Sequence, residues 1–457
     1  MNLDNIKNIH FVGIGGIGMS GIAEILTGRG LAVSGCDLKR SSATSLLAGR
    51  GVDVRIGHDP VHLVGVDAIV VTAAVKGANV EVDAARDRGI EIIRRKDLLA
   101  AIVNEKRAVG VSGTHGKTTT SAMIATVLEE GGLDPTMIIG GMLPNFASNA
   151  KEGKGAVIVA EADEYDRAFH ELHPEIAVIT NIEADHLEYY GSFENIVEAF
   201  RVFTENVRPG GTIIGCVDDP AVAALLDRQG RRKDVKIVRY GLGPGADLTA
   251  RSLTFHERGS SFEVDGIGFF KLFVPGRHNV RNALAAIAVA RELGVSANAT
   301  AAGVARFLGV DRRFQILGNY NGAMVVDDYA HHPTEIRATL DAARSGYPRR
   351  RVVALFQPHL YSRTRDFARE FGASLRGADV AFVAPIYAAR ELPIEGISSR
   401  MIAESAEGIE FLDRSHIEIV NELRSRLQPN DVFITMGAGD VHEIAEALVR
   451  GQGEGRG

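Results

Sequence analysis

Short apolar runs recur along the chain, each closed by glycine or a polar cluster, and many are followed by a segment with helical apolar spacing. Such runs read as buried strands, and their alternation with helices predicts α/β units built on parallel sheets. The first series has strands at Asn8–Val12, Leu31–Cys36, Val52–Ile56, Asp67–Ala73 and Glu91–Ile93, with helices at Met19–Leu26 and Val80–Arg88. A second series opens with a strand at Ala108–Val111 and a helix at Ser121–Leu128, followed by strands at Ala156–Ala160 and Ile176–Ile179 and an alanine-rich helix at Ala283–Glu292. The third has strands at Met324–Val326, Arg351–Phe356, Val380–Pro385 and Asp431–Met436 and a helix at Thr334–Ala343. The expected organisation is three α/β domains, over 1–105, 106–309 and 310–457, with Gly451–Gly457 a disordered tail.

Composition narrows the function classes. The chain has 457 residues, of which 45% are hydrophobic and 24% charged, as in ordinary globular proteins. A net charge of −7 gives no electrostatic support to nucleic-acid binding, while leaving local anion sites open. The two cysteines, Cys36 and Cys216, make no disulfide framework, which suits a reducing cytoplasm. No apolar run is long enough for a membrane span, so no membrane partner is expected.

The most informative chemistry lies at Val109–Thr120, where a strand runs into Gly113-Thr114-His115-Gly116-Lys117-Thr118-Thr119 and then a helix. This layout lets backbone N–H groups and a helix start face a phosphate, with Lys117 reaching the β/γ-phosphates and Thr118 holding Mg²⁺. The loop is a shortened P-loop, with Val111 where the general pattern has its first glycine. Gly13-Ile14-Gly15-Gly16-Ile17-Gly18 follows the first strand, and Asp37 ends the second, a pattern that suits a diphosphate and a ribose. Glu161 directly follows an apolar strand, the usual place for a Mg²⁺ carboxylate; Asp163, Glu164 and Asp166 stay unassigned. Thr180–His186 follows the next strand and brings a second polar group to the same edge. Asn279 and Asn282 share one face of a helix start, and the alternative for either is capping. Polar clusters around Asp328, His331 and Arg363 follow strands of the third domain, and Arg363 is expected in a loop facing the ligand crevice.

Taken together these blocks resemble the Mur ligases over essentially the whole chain. The carriers are Gly13–Glu24, Gly113–Thr120, Glu161–Asp166, Thr180–His186, Gly276–Ala285, Asp311–Phe314, Asp327–Glu335, Gln357–Thr364 and Met436–Asp440. The resemblance implies an N-terminal Rossmann-like domain for a UDP sugar, a central P-loop ATPase domain and a C-terminal Rossmann-like domain for an amino acid. It implies an ATP-dependent amide-bond former of peptidoglycan synthesis, most similar to the alanine-adding branch. ATP would phosphorylate the carboxylate of UDP-N-acetylmuramate, and the amine of L-alanine would attack the acyl phosphate. Carried over by motif, Lys117 would stabilise the moving phosphoryl group, Thr118 and Glu161 would hold one Mg²⁺ and His186 a second. Asn279 and Asn282 would sit at the nucleotide, Arg313 near the phosphates and Asp328 at the ATP ribose. Gly13, Gly15, Gly16, Gly18, Asp37 and His58 would serve the UDP group, and His331 and Arg363 the alanine. The assembly is left open, a homodimer included.

Two positions depart from the family pattern. Leu360 stands where many alanine-adding ligases carry arginine, and Leu187–Val207 contains no lysine where later ligases of the pathway carry a carbamylated one. Three other readings remain open from the sequence: a ligase that recycles a ready-made tripeptide, a nicotinamide-dependent dehydrogenase resting on the first domain, and a non-catalytic nucleotide-binding regulator.

Overall fold

The computed structural model describes residues 5–72, 78–389 and 391–450, with Glu188 described by its backbone alone. Ala73, the end of one expected strand, and the tail Gly451–Gly457 lie outside the described residues. The chain folds into two compact units. One comprises the chain up to Ala250 with Val264–Gly268 and Arg281–Arg306; the other comprises Arg251–Glu263, Phe269–Val280 and the chain from Phe307.

The first unit contains a five-stranded parallel sheet in the order Asp53–Ile56, Ala32–Asp37, Asn8–Val12, Ala68–Val71, Glu91–Arg94. The chain leaves Asn8–Val12 by a glycine turn, where the N–H groups of Gly13 and Ile14 both donate to the Cys36 carbonyl at 2.9 Å. It then enters the helix Ile17–Gly28, whose first turn has no side-chain cap. The same unit carries strands in the order Lys236–Gly241, Thr212–Cys216, Ile176–Ile179, Arg107–Ser112, Val157–Glu161, Thr136–Leu143, Ser148–Lys151. All pairings in this run are parallel except the last. Buried side chains of both sheets and of their helices, among them Ile22, Leu26, Ile138, Ala150, Ile158 and Phe200, form one continuous core. The last strand seats the first helix: Asn149 Nδ2 donates to the Ile17 carbonyl at 2.9 Å and Ser148 Oγ to Glu24 at 2.6 Å.

The second unit is built on a six-stranded sheet in the order Gln315–Tyr320, Ala323–Asp328, Asp431–Met436, Arg351–Phe356, Val380–Val383, Ile409–Phe411. Only the first pairing is antiparallel. Apolar clusters cover both faces, which is why its strands read as continuous hydrophobic runs.

The α/β class is as expected, and several extents are longer than the apolar pattern shows. The helix expected at Ser121 starts at Lys117, and the one expected at Ala283 starts at Arg277. Strands at Thr212–Cys216, Lys236–Gly241, Leu248–His256, Gly259–Val264 and Gly268–Leu272 were not anticipated from the sequence. Among the described residues no helix is long and apolar enough to cross a membrane.

Candidate active site

Three adjacent parallel strands converge on the lysine loop. Arg107–Ser112 runs between Ile176–Ile179 and Val157–Glu161, with Ser112 opposite Ile179 and Val111 opposite Glu161. The loop therefore leaves the sheet with a carboxylate on one side and the Thr180–His186 segment on the other. Gly113 has φ +141°, and a Cβ there would lie 1.9 Å from Thr180 Oγ1, so only glycine fits. Thr180 Oγ1 donates to the His115 carbonyl at 2.6 Å, and Asn181 Nδ2 donates to the same oxygen at 2.9 Å.

Two of the loop amides are committed to this segment. The Thr114 N–H donates to the Asn181 carbonyl at 3.1 Å and the His115 N–H to Asn181 Oδ1 at 2.9 Å. These two N–H groups therefore point to the neighbouring strand end. The donors left for an anion are at the helix start, Lys117–Thr119, where the first N–H groups have no acceptor within the helix. Gly116 precedes them in the left-handed region at φ +82°, without a side-chain cap.

Lys117 Nζ donates to the Gly113 carbonyl at 2.6 Å and to Glu164 Oε1 at 2.7 Å. Burial would lower the lysine pKa, but Glu164, Asp163 and Glu161 overcome it and hold the ammonium above its ordinary value. Glu164 is one of the three acids that the sequence left unassigned. Its side chain is buried, and its carbonyl accepts the Tyr190 phenol. Glu161 accepts the Gly140 N–H at 2.6 Å. Burial pushes its carboxyl above the usual range, against the Gly140 amide, the Lys117 charge and a hydrogen bond from the Thr118 side chain. His186 follows the neighbouring strand in the left-handed region at φ +54°, its ring 5.2 Å from that of Tyr165. Asn282 Oδ1 lies 3.3 Å from where a Gly116 Cβ would stand. Asn279, the second asparagine, donates through Nδ2 to the Pro275 carbonyl at 2.7 Å, a bond that steadies the start of its own helix.

At the first glycine loop, Asp37 Oδ2 accepts the Gly15 N–H at 2.8 Å and Oδ1 accepts the Leu38 N–H at 2.8 Å. A Cβ on Gly15 would lie 2.8 Å from Asp37 Oδ2, and one on Gly18 2.9 Å from an Arg95 guanidinium nitrogen. At Gly15 the crowding comes from Asp37 and Thr44, whereas at Gly18 it comes from the far end of the flexible Arg95 side chain, which can move aside. Gly13 has φ +81°, which the turn requires. Gly16 gives the helix its extended N-cap. His58 Nδ1 stands 2.9 Å from Glu81 Oε2 and 3.1 Å from Cys36 Sγ.

In the second unit, Asp328 is buried, with Oδ2 accepting the Phe314 N–H and Oδ1 the Ala330 N–H, each at 2.7 Å. Burial pushes its carboxyl up to about 6, against the Arg313 charge and these two amides. Arg313 lies over the Tyr329 ring at 5.2 Å and 3.6 Å from Glu335 Oε1. His331 Nδ1 stands 3.0 Å from the Tyr329 carbonyl and 3.2 Å from Glu335. Arg363 is not in a loop: it lies in the first turn of the helix Tyr361–Leu375. Leu360, just before that helix, has φ +73°. His359 and Tyr387, which the sequence reading did not single out, stack at 5.8 Å. Burial, then the His331 and Arg363 charges, lower the His359 pKa to about 4, so its imidazole is neutral at pH 7.

The chain belongs to the Mur ligase family. Residues 8–107 match the family's "Mur ligase family, catalytic domain", 111–290 the "Mur ligase middle domain" and 312–439 the "Mur ligase, glutamate ligase domain". It is 45% identical over 453 residues to a UDP-N-acetylmuramate–L-alanine ligase of Geobacter sulfurreducens, covering 97% of each chain. It is 42% identical to the ligase of the same name from Renibacterium salmoninarum, covering 98% of this chain and 97% of the relative. Among solved structures it superposes on the UDP-N-acetylmuramate-alanine ligase of Thermotoga maritima with a TM-score of 0.83 at 30% identity, covering 98% of this chain and all of that one. A murein peptide ligase from Psychrobacter arcticus gives 0.72 at 25% identity, covering 98% and 99% of the two chains.

Proposed function

We propose that this chain is an ATP-dependent ligase that joins L-alanine to the carboxylate of UDP-N-acetylmuramate, the first amino-acid addition of bacterial peptidoglycan synthesis. The observation that carries the reading is the lysine loop clasped between the Glu161 strand end and the Thr180–His186 segment, in a chain with relatives of that name along its full length. Three working domains, over 1–105, 106–309 and 310–457, divide the UDP sugar, the ATP and the amino acid between them, and the reaction runs in the cytoplasm.

A carboxylate oxygen of the UDP sugar attacks the γ-phosphorus of ATP, ADP leaves, and an acyl phosphate forms. The neutral amine of L-alanine then attacks the acyl carbon; phosphate departs and the nitrogen loses a proton, leaving the amide. Lys117 follows the charge on the moving phosphoryl group, and the amides of the helix start bind the phosphates that flank it. The Thr118 hydroxyl and the Glu161 carboxylate are a hard oxygen set that fits Mg²⁺, with His186 assigned to a second ion. Bound there, Mg²⁺ would offset phosphate charge. Asn279, Asn282, Arg313 and Asp328 are assigned to the nucleotide, Gly13, Gly15, Gly16, Gly18, Asp37 and His58 to the UDP group, and His331 and Arg363 to alanine.

Phosphate release with ATP, Mg²⁺ and UDP-N-acetylmuramate, measured against a panel of amino acids and the tripeptide, tests the reading. L-Alanine is expected to give the highest kcat/KM. Preference for the tripeptide would make the chain a recycling ligase, and turnover without either small substrate would end the proposal. Light scattering on the same preparation distinguishes a monomer from a homodimer.

A further inference from the structure

Behind the first glycine loop, four elements place His10, Cys36, His62 and Glu81 around one point. His10 lies in the strand Asn8–Val12, Cys36 in Ala32–Asp37, His62 in the short turn of helix Pro60–Leu63 and Glu81 in the helix Val80–Arg88. One ligand atom from each, and all four together, lie within 4.8 Å of one another. We propose that these four side chains form a binding site for a divalent transition metal, zinc by ligand chemistry, separate from the Mg²⁺-dependent phosphate chemistry.

Three observations carry the site. The first is the donor set. Two imidazoles, a thiol and a carboxylate are a zinc set, and a poor one for Mg²⁺, which prefers oxygen alone. Tetrahedral zinc with bonds of about 2.0–2.3 Å needs ligand atoms roughly 3.3–3.8 Å apart, a modest adjustment of the present spacing. The second is His10. Its ring is 1% exposed, and its Nδ1 is 2.9 Å from Ser34 Oγ. Its buried Nε2 has no hydrogen-bond partner and stands 3.7 Å from Glu81 Oε1. One nitrogen held and the other turned inward is how a metal-binding imidazole is commonly oriented.

The third is charge. Glu81 is fully buried, and its ion-pair partners among the described residues are His10, His58 and His62, which carry charge only when protonated. Among the described residues no lysine or arginine is paired with it. The carboxylate is instead crowded by Cys36 Sγ at 2.8 Å, His58 Nδ1 at 2.9 Å and His62 Nδ1 at 2.6 Å. A dication would supply the compensating charge that a buried carboxylate calls for. On binding, the Cys36 thiol gives up its proton and becomes a thiolate ligand, so affinity rises with pH. His58, partly exposed beside Cys36 and Glu81, remains outside the four as a hydrogen-bonding partner.

The test uses the full-length chain, stripped with a chelator and titrated with Zn²⁺ and, separately, Co²⁺. About one equivalent of zinc is expected to survive dialysis into metal-free buffer. The cobalt form is expected to show a thiolate-to-cobalt charge-transfer band. The chain has only two cysteines, so Cys216→Ser should keep that band and Cys36→Ser should lose it. His62→Ala should weaken zinc binding at least tenfold in a competition titration with a chromogenic chelator. Circular dichroism checks that each variant is folded. A wild-type chain that retains no zinc, or a cobalt form whose band is absent or belongs to Cys216, overturns the proposal and leaves a hydrogen-bonded histidine–glutamate cluster. Because the wild-type arm stands alone, an unfolded variant does not rescue the idea.

Discussion

Lys117 and Glu164 form a buried ion pair, Nζ to Oε1 at 2.7 Å, across a sequence separation that no local motif spans. The pair sits where the lysine loop meets the acid segment after Val157–Glu161, and it favours the charged form of the lysine proposed to follow the phosphoryl group. Lys117→Ala should leave the fold intact and lower kcat by about 10²–10³ or more, the usual scale for losing a preorganised charge on a transition state. Phosphate release in the mutant within a few-fold of wild type would remove Lys117 from the mechanism.

Glu164→Gln tests the pair from the other side. The carboxylates raise the Lys117 pKa, so removing one lowers it, and the charged form is then lost at a lower pH. The alkaline limb of the kcat–pH profile should move to lower pH in Glu164→Gln, with the acid limb little changed. An unmoved alkaline limb would mean that Lys117 does not control it.

The first glycine loop gives a separable effect. A Cβ on Gly15 meets Asp37, so Gly15→Ala must push apart the two groups that shape this turn. The KM for UDP-N-acetylmuramate should rise severalfold, with the KM for ATP nearly constant. Initial rates with each substrate varied in turn decide it, and the opposite split would exchange the roles of the two loops.

Asp328 makes stability depend on pH in an unusual sense. Its folded pKa of about 6 lies above the ordinary carboxylate value of 3.8, so the folded state holds the proton longer than the unfolded chain does. Stability from this group is therefore greatest below about pH 4, falls as pH rises to about 6 and is level above that, a total of order 2–3 kcal/mol. Asp328→Asn should lose this slope. Denaturant midpoints for both proteins at pH 4, 5, 6 and 7 measure it, and parallel curves would contradict it.

Arg363 is expected to hold the alanine carboxylate, where a guanidinium can make two parallel bonds and an ammonium cannot. Arg363→Lys should raise the alanine KM markedly and leave the ATP KM alone. An unchanged alanine KM would move the carboxylate site elsewhere, with His331 next to test.

The strands that carry these groups were legible because they are buried on both faces. Asn8–Val12, Ile176–Ile179 and Asp431–Met436 read as apolar runs and fold as such. Leu248–His256 escaped notice because most of its side chains are exposed or half-buried, so no apolar run marks it. The role of Glu164 was hidden for a different reason. Asp166 and Arg167 take left-handed angles inside the turn that follows it, which breaks any helical spacing by which the four acids of that segment could be sorted. The helix bearing Arg363 starts without a side-chain cap after a leucine in the left-handed region, so the usual start signal is missing. Lys117, Thr118 and Glu161 could be singled out because they lie at strand and helix ends, where short motifs carry the geometry.

The grip of Thr180 and Asn181 on the Gly113–Gly116 turn decides when an entropic cost falls due. Ordering the backbone of one residue costs about 1–2 kcal/mol, and a loop that stayed loose until nucleotide arrived would subtract that sum from its affinity. Here the ordering is completed as the chain folds, by bonds to a neighbouring strand end. The turn acts as a mould cast in advance, so nucleotide association should proceed without a slow rearrangement of the loop, as a single bimolecular phase.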